Sequence, residues 1–541
     1  MRTLVGLFLV VCIIPPVNAQ TGRPSATPLE RIDSAAVARI VDEGMNRSQV
    51  MELLGALTDV CGPRLTMSPG YKRALAWTSS TMQAWGLSDV HLEGWGPFGR
   101  GWTIRNYSAQ VTATETFPLL SYPKAWSPGT DGTVRGGLIR LQASTDSALQ
   151  TYAGKVKGRF VLLGDPVPVS PHWLPQATRQ SDSSLLALAN ADVQQPRGRR
   201  PGGRSRPGYD PDFENRKLEF CLKEGALALL TPSRGDGGTI FVQGATAIEH
   251  PDTPWTRRGR VYQSPAPRML PQVAVAAEHY NRLVRLLDRG EKPTLEMALA
   301  VVATREDSAY NVLAEIPGTD LKDEVVMLGA HLDSWHGGTG ATDNASGVAT
   351  AMEAMRIIKA SGLKPRRTIR VGLWGAEEQG LLGSRAYVRK HLGERPMLPD
   401  TGGTGPSVPG PVQYRPAAEK FSVYFNNDNG TGKIRGIYMQ GNESARAIFR
   451  AWFAPFRSQG AATLTSLSTG STDHSSFEAI GLPAFQFIQD DIEYFTRTWH
   501  STIDVYERAV EEDLKQSSTI MAAFAYNAAT RDGLFPRKSR P

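Results

Sequence analysis

The chain has 541 residues, 40% of them hydrophobic and 21% charged, which fits a soluble globular protein. Its length excludes one simple core, so two or more domains are expected. The net charge of +7 does not mark a nucleic-acid binder. Five arginines and no acids fall in PRGRRPGGRSRP (196–207), and seven less five leaves +2 for the remainder. No aromatic residues are interleaved there for base stacking, so the segment reads as a solvated loop.

The first residues, Met1-Arg2 followed by TLVGLFLVVCIIPPVNA, have the form of a secretory signal: a positive charge, a short apolar run, and small Ala19 before Gln20. The run is too short to span a bilayer comfortably and ends at Pro15-Pro16. Processing as a lipoprotein at Cys12 is disfavoured because Val11 before it is bulky. Residues 1–19 are therefore read as a signal peptide, and the mature protein as secreted or periplasmic with no stable membrane insertion. Cys61 and Cys221 then remain, either paired in an oxidising compartment or buried as free thiols. Neither has the spacing of a thiolate zinc site.

From Ile32 to Trp85 the apolar pattern is helical, broken at Cys61-Gly62-Pro63. Short alternating runs follow, such as Tyr107 to Thr114. Between about 120 and 300 the character changes to short β-like runs (GLIRL, RFVLLGD, ALALLTP, TIFVQG, QVAVAA) with few helical patterns. This reads as a separate β-rich unit with its own loop insertion near 181–212. Strand–helix alternation resumes at Ser308 and persists to about Ala529, interrupted by a Pro/Gly stretch at 395–416 that is an ordered or a mobile loop.

The chemistry concentrates between Asp323 and Tyr387. An apolar run, Val325 to Leu328, leads to His331-Leu332-Asp333. A Gly-rich turn then delivers Asp343 to the start of a helix, with Asn344 or Ser346 near its N-cap. A second apolar run, Thr368 to Trp374, ends in Glu377-Glu378. Farther on, FSVYFN (421–426) precedes Asp428, TGSTDHSSF carries His474, and Thr498-Trp499-His500 closes the set. Strands that each end in metal-competent side chains point to a crevice at the carboxyl edge of an open α/β sheet. Imidazole and carboxylate without thiolate suit Zn²⁺, Mn²⁺ or Co²⁺, with zinc expected. Charge favours two ions: three carboxylates (Asp343, Glu378, Asp428) offset two divalent cations and one shared hydroxide. Of the other histidines, His336 reads as loop, and His91, His172, His250, His279 and His391 as structural or exposed.

At these residues the chain resembles the co-catalytic zinc metallopeptidases of peptidase family M28. The motifs are HLD (331–333), DNASG (343–347), EE (377–378), Asp428 and His500. The resemblance is strong over about 305–530. It implies a mixed central sheet flanked by helices on both faces, built from 20–120 and 305–541. The β-rich stretch 121–304 more weakly resembles a protease-associated insert. By the same resemblance, His331 and Asp428 hold one zinc, Glu378 and His500 the other, and Asp343 bridges them. Glu377 is the general base, Asp333 orients His331, and His474 contacts substrate or the oxyanion. The activity implied is that of an exopeptidase acting on peptides or dipeptides near a free terminus, foremost an aminopeptidase. A dipeptidase similar to carboxypeptidase Q is the close alternative. A binding protein that keeps the fold but has lost its metals is a further alternative, weakened by the intact donor set. No nucleic-acid partner is expected, and a homodimer is left open.

Overall fold

The computed structural model describes residues 30–191, 210–249, 259–398 and 408–538. The signal-like segment and the arginine-rich loop 196–207 lie outside them, as does His250. Two sheets of eight strands each dominate the architecture. The central sheet comprises β1 (Ser88–Trp95), β2 (Ala309–Ile316), β3 (Leu321–His331), β4 (Arg367–Trp374), β5 (Phe421–Asn426), β6 (Ile434–Tyr438), β7 (Thr463–Thr465) and β8 (Ala484–Gln489). Their order is β1-β2-β4-β3-β5-β8-β6-β7. The middle of the sheet, β4-β3-β5-β8, is parallel, while β1-β2, β2-β4 and β6-β8 are antiparallel.

Parallel strands covered on both faces read as continuous apolar runs rather than alternating ones. That is the composition of Val326–Ala330 in β3 and of FSVYFN in β5, buried throughout. On one face lies α3 (Ser346–Ala360), beside α1 (Ser34–Asn46), with α2 (Pro69–Ala84) near β1 and β2. The C-terminal helix, Glu511–Thr530, packs against α1 and α3 and is buried along most of its length. The expected helical region therefore holds, with its break at Cys61–Pro63 where Gly62 takes φ +73°.

The second sheet lies between β1 and β2 in the chain. Its strands run in the order 116–118, 99–112, 294–306, 133–141, 160–163, 228–232, 272–275 and 121–123. Gly99–Thr112 pairs antiparallel with Thr294–Glu306 along its whole length, so the chain leaves and re-enters the central sheet as one ribbon. The second sheet thus begins at Gly99, upstream of the 121 boundary read from composition. The alternation in Tyr107–Thr114 carries no mark of which sheet it joins. TIFVQG (239–244) also departs from expectation. It joins no strand of either sheet and instead makes isolated bridges from Phe241 to Ser501 and from Gly244 to Ala125. Cys61 and Cys221 are buried free thiols in separate cores. Around 395–416, short ladders pair Gly393–Glu394 with Gln413–Tyr414 and Met397–Leu398 with Val408–Pro409. No helix among the described residues is long and apolar enough to cross a membrane.

Candidate metal centre

Each parallel strand at the middle of the central sheet delivers chemistry from its carboxyl end. His331 is the last residue of β3, Glu377 and Glu378 follow β4, Asp428 follows β5, and His500 follows β8. Asp343 arrives on the loop between β3 and α3. The structure brings these side chains into two groups with Asp343 common to both. His331, Asp343 and Asp428 form one; Asp343, Glu378 and His500 form the other. Within each, the donor atoms lie within 4.8 Å of one another. Asp343 faces both ways: its Oδ1 is 3.2 Å from His331 Nε2 and its Oδ2 is 3.1 Å from His500 Nε2. Asp428 Oδ1 lies 3.4 Å from His331 Nε2, and Glu378 Oε2 lies 3.0 Å from His500 Nε2.

The loop carrying Asp343 is held from two sides. Arg64, fully buried, donates from its guanidinium to the carbonyls of Leu332 (2.8 Å), Thr339 (2.7 Å) and Gly340 (2.9 Å). Asp504 accepts from the amides of Thr342 (2.6 Å) and Asp343 (3.1 Å). Asn344, rather than Ser346, meets the first turn of α3: its Oδ1 accepts from Gly347 N at 3.0 Å while its Nδ2 donates to Asn427 O. Gly347 leaves room for that contact, since a Cβ there would sit 2.3 Å from Asn344 Oδ1 and from Asn427 O.

Asp333 faces both the His331 ring and the acidic pair. His331 Nδ1 meets the main-chain carbonyl of Asp333 at 2.9 Å, while the Asp333 carboxylate stands 3.7 Å away. That carboxylate is committed elsewhere, accepting from the amides of Glu377 (3.0 Å) and Glu378 (3.3 Å) and from the Thr66 hydroxyl (3.1 Å). The backbone carbonyl holds the ring directly, and the carboxylate, which also stands near the ring, fixes the acidic pair.

His474 joins neither group. It is fully buried, and its Nε2 lies 3.1 Å from the carbonyl of Thr469. Burial there pushes its pKa down. The residue before it, Asp473, is the one whose carboxyl senses the centre. Burial first, opposed by His331 and reinforced by Asp428, moves its pKa up to about 7. His336 is also no free loop residue. Its Nε2 reaches Pro123 O at 2.7 Å and burial pushes its pKa down to about 4, so it ties the ligand loop to the second sheet as a neutral ring.

That sheet's side of the molecule touches the centre again through the 239–244 segment. Val242 N donates to His500 O (2.9 Å) and Thr502 N to Ile240 O (2.9 Å), while the Gln243 amide lies 2.7 Å from His500 Nδ1. Trp499 stacks on the His500 ring at 3.9 Å between centroids. Nothing in the sequence marks Gln243 or Arg64, because their partners lie hundreds of residues away.

Crowded charge makes the centre costly without a cation. Burial first, then Asp343, raises Glu378 to about 7; burial, Asp428, Asp473 and Glu378 push Glu377 well above the usual carboxylate range against the pull of His331. Burial opposes charge on both histidines. The neighbouring carboxylates nevertheless win, raising His331 well above its ordinary value and His500 to about 10. Two imidazoles, three carboxylates and no thiolate fit zinc-like divalent ions. So does Glu378 Oε1, buried with no hydrogen-bond partner.

A stability prediction follows. Glu378, Asp473 and Asp504 hold protons up to about pH 7 when folded, against ordinary values of 4.5 and 3.8. Their contribution is full below pH 4 and is lost as pH rises through 7. His500 adds the same sign, full below 6.5 and lost through about 10. Asp343, whose pKa is lowered, contributes evenly above pH 4 and leaves the trend untouched. Chelator-treated protein should therefore melt at a lower temperature at pH 9 than at pH 6, and zinc should restore most of the loss. Equal melting temperatures at both pH values would refute this account of the site.

Comparison with known proteins gives a consistent result. Residues 311–525 match the model of peptidase family M28. Carboxypeptidase Q of Mus musculus is 24% identical over 509 residues, covering 93% of this chain and 90% of that protein. An aminopeptidase of Pseudomonas aeruginosa (strain UCBPP-PA14) is 32% identical over 192 residues, covering 32% of this chain and 33% of that protein. The crystal structure of a peptidase M28 precursor from Shewanella amazonensis SB2B has the same fold. It superposes with a TM-score of 0.63 at 23% identity, covering 94% of this chain and 99% of that one. Both donor groups fall inside residues 311–525, the stretch that matches peptidase family M28.

Proposed function

We propose that the protein is an exported exopeptidase that uses two zinc ions to hydrolyse peptide bonds next to a free terminus. In this reading His331 and Asp428 would hold one ion and Glu378 and His500 the other, with Asp343 contributing a donor to both. The observation that carries the reading is Asp343 presenting one carboxylate oxygen to each imidazole, at 3.2 and 3.1 Å. When bound, such an ion pair lowers the pKa of a shared water and polarises the scissile carbonyl.

The chain's own residues supply the proton path and the positioning. Glu377 stands beside the donor groups with its amide anchored on Asp333 Oδ1 at 3.0 Å. An ion held by these donors would offset the crowding that raises the pKa of Glu377, and the carboxylate would then be able to take a proton from the attacking water. It then returns that proton to the leaving amine nitrogen. A cavity of ≈ 540 Å³, lined in part by Glu378, Gln379, Trp335, Trp126 and Tyr262, gives the substrate chain room beside the centre.

The aminopeptidase reading rests on the family motifs. A carboxypeptidase or dipeptidase reading is favoured by the carboxypeptidase Q likeness, which extends over 93% of the chain. The second sheet, with its parallel strands 133–141, 160–163, 228–232 and 272–275, supports the reading of this unit as a protease-associated insert. Metal analysis of the purified protein should find close to two equivalents of zinc or a similar ion. Phenanthroline should abolish hydrolysis of leucyl amide and leucyl dipeptides, with zinc restoring it. Full hydrolysis by metal-stripped protein would end this reading.

A further inference from the structure

His500 is presented to the donor groups by a backbone that does not settle there unaided. Its φ of +60° lies in the left-handed region, which a residue with a Cβ occupies only at a cost. The second sheet's segment 239–244 holds it there. Val242 N donates to His500 O (2.9 Å), Thr502 N to Ile240 O (2.9 Å), and Ile240 N to Thr502 Oγ1 (3.2 Å). The ring is walled as well: Trp499 stacks on it at 3.9 Å between centroids, and Trp335 stands edge-on at 5.9 Å. Nε2 faces Asp343 Oδ2 (3.1 Å) and Glu378 Oε2 (3.0 Å), which leaves Nδ1 on the side of the second sheet. Gln243 meets it there, with its amide 2.7 Å from Nδ1. The backbone of Gln243 is anchored in turn, since its carbonyl accepts from Ala125 N (3.0 Å).

An imidazole nitrogen holds a cation only through a free lone pair, so ligation by Nε2 leaves the ring proton on Nδ1. Nδ1–H then needs an acceptor, and the group that supplies one fixes both the tautomer and the direction of the ring. Among the described residues, Gln243 is the side chain hydrogen-bonded to Nδ1. An amide suits this post because its two ends are alike in shape and opposite in polarity. Nε2 of Gln243, the end nearer the ring, serves a ring that keeps its proton between the two carboxylates. Half a turn of the amide brings Oε1 there instead, to accept from Nδ1–H. Gln243 is exposed, so water competes with it, and the effect belongs at the modest end of what such outer partners contribute.

We propose that Gln243 is a positioning residue for the metal centre: its amide oxygen accepts from His500 Nδ1–H and keeps Nε2 directed at the second ion. The unit built on the second sheet thereby helps to hold that ion, although Gln243 belongs to neither donor group. This rests on the two-zinc reading and goes beyond it, since Gln243 acts only through His500.

The test titrates zinc into chelator-stripped, full-length protein by calorimetry, with His500→Ala identifying the binding step that uses His500. Gln243→Met keeps the side chain's length and removes the acceptor. It should weaken that step about tenfold and leave the other within about threefold of the parent. Gln243→Glu supplies an acceptor again and should return the step to at least the parent's affinity. That comparison is made in 1 M salt, where an exposed charge is screened over roughly 3 Å. A merely structural role would not separate glutamate from methionine. Substitution at an exposed position is expected to leave the fold intact, which thermal melts of the stripped variants check. Imidazole nitrogen shifts, measured by NMR on the zinc-loaded parent, need no variant of Gln243 and should show Nδ1 of His500 protonated. Unchanged affinity in Gln243→Met, equal losses in the two variants, or a bare Nδ1 would each overturn the inference while the two-zinc reading stands. Should His500→Ala remove no binding step, the two-zinc reading falls and this inference with it.

Discussion

Replacement of Glu377 by glutamine is expected to lower kcat by about 10²–10⁴-fold, the usual share of a positioned general acid–base. The substitution keeps the side chain's volume, and the main-chain bond from residue 377 to Asp333 Oδ1 is unaffected by it. Glu377 belongs to neither donor group, so zinc content should remain close to that of the parent protein. The loss should appear in kcat far more than in KM, because a proton acceptor acts in the transition state rather than in substrate binding. Steady-state kinetics on a leucyl dipeptide, alongside metal analysis of the same preparation, checks both parts. Activity within threefold of the parent would remove Glu377 from the proton path.

Substitution of Asp343 by alanine is expected to be as damaging by a different route. It is the residue common to both donor groups, and its loss leaves only two donors in each: His331 with Asp428, and Glu378 with His500. Catalytic zinc sites ordinarily keep three protein ligands, so occupancy should fall from about two ions to fewer than one, and hydrolysis with it. Alanine at 500 provides the contrast. It thins only one group, so one ion should remain. Metal analysis after dialysis against a buffered zinc pool distinguishes the variants; two ions retained by the Asp343→Ala protein would show that it does not bridge.

Much of the centre was legible from local pattern. Each of His331, Glu377, Glu378 and Asp428 follows an apolar run short enough to be a strand, and strands buried on both faces advertise themselves by composition. Asp343 was visible because a Gly-rich turn and an apolar-periodic helix bracket it. The same locality does not show the partners in three places. His474 follows Asp473 in a motif-like run, yet the fold buries it among its own loop's backbone. Asp333, beside His331, also turns its carboxylate to the amides of Glu377 and Glu378. TIFVQG has strand composition, but its hydrogen bonds go to the His500 loop rather than into a sheet.

By itself, then, the sequence determined which donors exist, their order, and the strand ends that carry them, since hydrophobic periodicity and turn chemistry act over a few residues. Only the tertiary structure decided how those donors meet. The contact of Asp343 with His500, the clamp of Arg64 and Asp504 on its loop, and the contact of Gln243 with His500 join residues 157 to 276 positions apart. Side chains whose partners are distant backbone groups or empty space leave no trace in spacing. Their roles are set by packing the two sheets together.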